Sequence, residues 1–310
     1  MMLTMVDAKV CNAATKTSST IKCYICDATS KDFNNLTTEK DVKPDTLKFG
    51  LSILHARIRI FEKLLHLSYK LPIKKWQARS ENEKLIVKQK KLEIQSNFRK
   101  KIGLIVDVPK PGFGNSNDDN TSRRFFADPE LAAEILCIDY NLIYRLKVIL
   151  ETISSEHKID VEKFRRYTVK TAELYVQLYQ WYPMTPTIHK ILIHGFIVIE
   201  HALLPGQLSK EAAEARNKYF CLYRQNNARK LSRECNLDVL NRLLISSDPI
   251  LSGMRKLPRK NTKPFLKETL EMLLPAELSN FTNIVDTEEK SLEQSGISSE
   301  QLGMSSDKET

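Results

Sequence analysis

The 310-residue chain carries 42% hydrophobic and 28% charged residues and a formal net charge of +10, a composition with room for one large hydrophobic core or two modest ones. The opening MMLTMVDAKV lacks the apolar run of a signal peptide, and the most apolar stretch, ILIHGFIVIEHALL, is broken by two histidines and a glutamate, so no membrane partner is expected. Six cysteines scattered over a chain without a secretory signal point to a reducing compartment, where a Cys-x-x-Cys pair reads as a metal or redox candidate.

Residues 1–22 are rich in small side chains and are expected to give one strand and a turn; residues 27–46 read as loop. From Leu47 to Leu71 the spacing of Leu51, Leu54, Ile58, Phe61, Leu65 and Tyr69 predicts an amphipathic helix that Pro72 closes. Ser80 opens a charged helix reaching about Lys101, with Leu85, Leu92 and Phe98 as sparse apolar contacts. The stretch VPKPGFGNSNDDNTSRR, residues 108–124, has the turn chemistry of a long loop. Asp128-Pro129-Glu130 is a helix start, with side-chain cap, first-turn proline and an acid at the positive dipole end.

Helices are expected to follow at 129–137, 139–154 and 161–179. WYPMTP interrupts the pattern, and a further helix begins after Thr185 or Thr187 and runs to about Leu204. Pro205-Gly206 is a second break. Ser209 then caps a helix from about Lys210 to Arg233, and Leu237–Leu244 gives a shorter one. Beyond Val285 there is little to bury, so an acidic, disordered tail is expected over 285–310. Strands are nearly absent, and the fold class reads as mainly α.

Charge is unevenly placed. Fourteen basic and four acidic residues lie between Arg57 and Lys101, and twelve basic and three acidic between Arg216 and Lys263. From Glu268 onward the balance reverses to ten acidic and two basic. Two basic regions with an acidic tail suggest a polyanion partner, with the tail competing for the same surface. The rival reading is a helical protein-interaction module whose basic faces are merely solvated or meet acidic proteins.

Cys23 and Cys26 form a Cys-x-x-Cys pair, half of a common zinc donor set. The other half has two candidates. His189 and His194 are the chain's only His-x4-His, while His194 and His201 are seven apart and nearly above one another on a helix. Residues five apart on a regular α-helix point about 140° apart, so His189 and His194 need an irregular turn to share an ion.

Several stretches taken together, in order over about residues 5–250, resemble one family: CYICDATS, GLSILHARIRIFEKLL, FRKKIGL with the Asn/Arg loop after it, FRRY…LYVQLY, TIHKILIHGFIVIE and EAAEARNKYFCLYRQNNARK. The family is the DDE recombinases that comprise the catalytic subunit of the vertebrate V(D)J recombinase and the Transib transposases. The resemblance implies that Cys23, Cys26, His189 and His194 are ligands of a structural Zn2+. It also implies a zinc-stapled helical insertion domain within an RNase H-like catalytic core. In the intact family three carboxylates hold two Mg2+ or Mn2+ ions for strand nicking and transesterification. Glu214 stands where the family has its catalytic glutamate, and Asp7 falls near the position of the second catalytic aspartate.

Only 22 residues precede Cys23, and Asp7 is the sole carboxylate among them, too little for the strands that carry the first catalytic aspartate. The first half of the RNase H-like sheet is therefore expected to be missing, and the chain alone to be inactive. The expected organisation is 1–22 as a core remnant, 23–205 as the zinc-binding insertion domain, and 206–250 as the helix of the third acid with basic C-terminal helices. A basic then amphipathic extension (251–284) and the tail (285–310) complete it. Double-stranded DNA is the expected partner, its phosphates met by Arg99, Lys100, Lys101, Arg123, Arg124, Arg216, Lys218, Arg224, Arg229 and Lys230. A homodimer and an accessory recombinase subunit are further partners the resemblance implies. RKLPRKNTK, residues 255–263, fits a nuclear-import patch.

Overall fold

The computed structural model describes residues 8–17, 19, 21–37, 41–110, 114–155, 157–201 and 264–274, with single positions between 221 and 241. Asp7, Glu214, Arg216, Lys218, Arg224, Arg229, Lys230 and the tail fall outside the described residues.

The described chain is mainly helical, in the order α1 (Ala8–Ala14), α2 (Ile53–Lys70), α3 (Glu81–Ile102), α4 (Asp119–Ala127), α5 (Pro129–Leu136), α6 (Tyr140–Ser154), α7 (Val161–Tyr179), α8 (Pro186–His189), α9 (Gly195–His201) and α10 (Lys267–Glu271). A 3-10 helix spans Pro44–Phe49, and a π-helical turn, Lys190–His194, joins α8 to α9. β1 (Pro109–Lys110) and β2 (Gly114–Asn115) form a minimal antiparallel hairpin.

Four helices begin on an aspartate whose carboxylate accepts from the amide three residues on: Asp118 from Thr121 (2.9 Å), Asp128 from Leu131 (3.0 Å), Asp139 from Leu142 (2.9 Å) and Asp160 from Lys163 (3.1 Å). Such caps satisfy amides that the helix leaves unpaired, each contributing about 1 kcal/mol. Ser80 and Glu83 form a reciprocal capping box at the start of α3.

α2 runs through the middle of the core, against α3, α4, α5, α6 and α8. Ile60, Phe61, Leu64, Leu65 and Leu67 are all fully buried on it. α7 packs on α6 and on the π turn and α9. Gly195 permits the last approach, since a Cβ there would stand 3.3 Å from the Phe164 ring.

Several expectations need correction. Among its described residues the N-terminal segment forms α1 and no strand. The helix read from Leu47 is two elements: Gly50, at φ 59°, closes the 3-10 helix, and α2 starts only at Ile53. Of the residues read onto its apolar face, Leu51, Phe61, Leu65 and Tyr69 are buried, Leu54 and Ile58 are half-buried, and Ile53, Ile60 and Leu64 are buried beside them. The long loop at 108–124 holds the hairpin and the first turns of α4, so Arg123 and Arg124 are helical. Ile94 and Phe98 anchor α3, whereas Leu85 and Leu92 are 56% and 57% exposed.

The C-terminal segment 264–274 returns to the domain. Glu151 on α6 accepts from the Leu266 amide (3.1 Å) and the Thr269 hydroxyl (2.5 Å), and Tyr144 donates to Glu268 (2.7 Å). Leu273 bridges Ile159 in a single β-type pairing, and Met272 and Leu273 are buried.

Candidate metal centre and basic surface

Cys23 and Cys26 sit on a tight turn closed by backbone hydrogen bonds from Cys23 N to Ala28 O (2.9 Å) and from Asp27 N to Cys23 O (2.8 Å). Asp27 takes the left-handed φ of 56° that reverses the chain there, a conformation aspartate tolerates better than most residues. Lys43 secures the turn from outside, its amide donating to Ile25 O (2.9 Å) and its ammonium pairing with Asp27.

The imidazoles come from the far end of the domain. Thr185 caps α8 by accepting from Ile188 N (3.3 Å), with Pro186 as first helical residue. The π turn then supplies what a regular helix withholds. Hydrogen bonding from i to i+5 inserts an extra residue into one turn, which brings His194 round beneath His189. Their ring centroids are 5.0 Å apart.

One ligand atom from each of Cys23, Cys26, His189 and His194 lies within 4.8 Å of the others, and all four residues are buried. Cys26 Sγ is 3.4 Å from His189 Nε2. Tetrahedral zinc, with Zn–S near 2.3 Å and Zn–N near 2.0 Å, places its ligand atoms roughly 3.3–3.8 Å apart, so a contraction of about 1 Å completes the shell.

Two observations test whether the residues fit a metal. Both ring nitrogens of His194 are buried without a hydrogen-bond partner, an arrangement that costs about 1–3 kcal/mol per orphaned group unless something occupies the space between. The thiols are also uneven. A hydrogen bond from Cys26 holds the Cys23 thiol down to about 7, against the opposing effect of burial, with the Ile25 and Cys26 amides and the Lys190 charge assisting. The same hydrogen bond, then burial, pushes the Cys26 thiol up. Two thiols beside two imidazoles form a soft donor set suited to tetrahedral zinc. The cluster fits a metal ion.

The rival pair does not form. His201 Nδ1 lies 2.9 Å from its own helix's Ile197 carbonyl oxygen and is exposed. Among the described residues this Cys/His cluster is the one group of three or more potential ligands.

The site also has supports with no conspicuous signal in sequence. Asn34 Nδ2 donates to the carbonyls of Gln180 (3.0 Å) and Tyr182 (3.3 Å), and its Oδ1 accepts from Met184 N (3.0 Å). One side chain thus pins the cysteine-bearing segment to the turn that delivers α8. Phe33 packs on His189 with centroids 4.7 Å apart, and Lys190 Nζ lies 4.2 Å from the centroid of the Tyr24 ring. Only the Asn and aromatic residues following the Cys pair hint at these contacts.

The basic candidates divide. Lys101 pairs with Glu134 (2.6 Å), Arg123 with Asp119 (2.6 Å), and Arg124 donates to Ile102 O (2.6 Å). Arg99 and Lys100 are exposed on the last turn of α3. Asp7 and Glu214 are not placed, so the described residues neither assemble nor separate a carboxylate pair. No protein-family model matches the chain, and no curated protein matches it significantly.

Proposed function

We propose that this chain is a zinc-stapled, DNA-binding protein resembling a DDE recombinase. The observation that carries the zinc half is the convergence of Cys23, Cys26, His189 and His194 within 4.8 Å, although Cys26 and His189 stand 163 positions apart in the chain. Bound there, a zinc ion would supply no chemistry of its own; it would close the shell and clip the N-terminal turn to α8 and α9. Structural zinc of this kind contributes directly to folding free energy.

The DNA half rests on the basic balance between Arg57 and Lys101 and on the exposed Arg99 and Lys100. Contacts of that type meet phosphates and read no bases. A second reading, a helical interaction module, draws support from Lys101, Arg123 and Arg124, which are already engaged within the chain.

Titrating purified protein into labelled duplex DNA at several salt concentrations separates the two. The proposal expects affinity falling linearly on a log–log plot, with the slope reduced by about 1 for each phosphate-contacting residue removed, as in Arg99→Ala and Lys100→Ala. Salt-independent or undetectable binding at 50 mM salt favours the interaction module.

A further inference from the structure

The cleft between α6 and α7 holds chemistry that neither the zinc cluster nor the basic surface uses. It encloses about 700 Å³, and Glu268 of α10 joins its lining, a volume in the range of small-ligand sites. Its charges cancel. Arg145 and Lys170 face Glu173 and Glu268 around the cleft, so neither an anion nor a cation is selected. Lys170 and Glu173 are exposed, whereas Arg145 and Glu268 are half-buried. Tyrosine rings supply flat walls: Tyr140 and Tyr144 stack with centroids 5.7 Å apart, and the Arg145 guanidinium lies 4.0 Å from the centroid of the Tyr167 ring.

The two half-buried charges are held in place without being used up. Arg145 Nε donates to Thr171 Oγ1 (2.9 Å) and its Nη2 to Tyr167 O (2.9 Å). Those bonds fix the plane of the guanidinium and leave three of its five N–H groups. Tyr144 Oη donates to Glu268 Oε2 (2.7 Å), which orients that carboxylate and leaves Oε1. The Tyr167 hydroxyl, pushed up chiefly by burial, feels Arg145 and Glu268 with opposite signs, so both charged groups stand within electrostatic reach of one ring.

We propose that this cleft binds a guanine base. Guanine is uncharged and flat, and its edges differ. N1–H and the 2-amino group are adjacent donors for a carboxylate, while O6 and N7 are adjacent acceptors for a guanidinium. One oriented carboxylate, one oriented guanidinium and stacked tyrosines complement those three properties together. Adenine puts its 6-amino donor beside N7, where Arg145 needs a second acceptor. Stacking on tyrosine adds affinity for any base; the choice among bases comes from the charge-assisted hydrogen bonds that a mismatched edge forfeits. A free guanosine nucleoside and an unpaired guanine in a single strand present the same chemistry. The assignment rests neither on zinc nor on duplex binding.

Isothermal titration of the full chain with guanosine, inosine, adenosine and cytidine tests it. Guanosine is expected to bind roughly tenfold or more tightly than adenosine or cytidine, with inosine, which lacks the 2-amino group, in between. Glu268→Gln keeps an acceptor for Tyr144 and should bring guanosine to the level of adenosine. Tyr140→Ala, at a ring already 38% exposed, should weaken every nucleoside alike. A photoactivatable guanosine should label peptides containing residues 140–145 or 167–174. A thymidine heptamer with one central guanine, set against the all-thymidine heptamer, identifies the source. A guanine-dependent affinity above that of guanosine assigns the base to a strand, and one no higher assigns the free nucleoside. No binding of any probe, equal affinity for all four nucleosides, a guanosine preference untouched by Glu268→Gln, or labelling confined to other segments would overturn the proposal.

Discussion

Replacing His194 by leucine separates a metal ligand from an ordinary buried histidine, because the two roles give opposite signs. Leucine has similar volume, so packing changes little. In metal-free protein the imidazole is a liability: both nitrogens are buried without partners. Removing that cost, about 1–3 kcal/mol, should leave His194→Leu as stable as the parent or more so in the presence of a chelator. With zinc the order reverses. Free zinc at a thousand times its dissociation constant stabilises the folded parent by about 4 kcal/mol, and a variant lacking one of four ligands loses most of that. For a domain of this size 1 kcal/mol corresponds to about 2–4 °C. Zinc should therefore raise the parent midpoint by roughly 8–16 °C and move the variant little. Thermal unfolding of both proteins in zinc and in chelator is the assay. A melting difference of the same sign and size in both conditions would refute the reasoning, since His194 would then be acting through packing alone.

Three further expectations follow from particular contacts. Asn34→Ala removes three hydrogen bonds between the cysteine segment and the 180–184 turn and should cost about 1–3 kcal/mol while weakening zinc retention in a chelator competition; unchanged retention would show that the ligands position themselves. Deleting Ile193 restores a regular helix with the imidazoles four apart and about 40° out of line, so zinc content should survive. Inserting an alanine after Leu192 should abolish it, and equal loss from both changes would dismiss the role of helical phase. Burial, then the Lys70 charge, holds the Lys63 ammonium down to about 7. The unfolded chain therefore binds more protons than the folded one between about pH 7 and 10, and this lysine's contribution to stability rises with pH across that window. Lys63→Met should accordingly stabilise the protein by about 1–3 kcal/mol at pH 6, the contacts of Lys63 to Pro183 O and the Tyr182 ring offsetting part of the gain. The gain should shrink by pH 9.5, as denaturant melts at the two values would show.

Much of the helical frame was legible because its signals are local. Asp128-Pro129, Asp139 and Asp160 each pair a cap with an apolar period, and α5, α6 and α7 start where those residues place them. Ser80 did the same for α3. The cysteine half of the site was visible as a spacing. The histidine half was not decidable from helical geometry, which argued against His189 with His194; the resemblance selected that pair, and the π turn is the physical reason it can work. A π turn leaves no spacing rule in sequence, since it depends on which carbonyl each amide finds.

Other misreadings have the same origin in tertiary context. Leu85 and Leu92 carry a helical period yet face outward, because a period fixes a common face but not what lies opposite it. Gly50 splits a continuous apolar pattern by adopting a left-handed backbone that no periodicity reports. The return of residues 264–274 to α6 depends on Glu151 accepting two hydrogen bonds from over a hundred residues away, a pairing that no local pattern encodes.

X-ray absorption at the zinc edge of protein expressed with adequate zinc tests the central claim most directly. The account requires one zinc per chain with two sulfur neighbours near 2.3 Å and two nitrogen neighbours near 2.0–2.1 Å, the set supplied by Cys23, Cys26, His189 and His194. Absence of stoichiometric zinc, or a first shell built from oxygen, would contradict it.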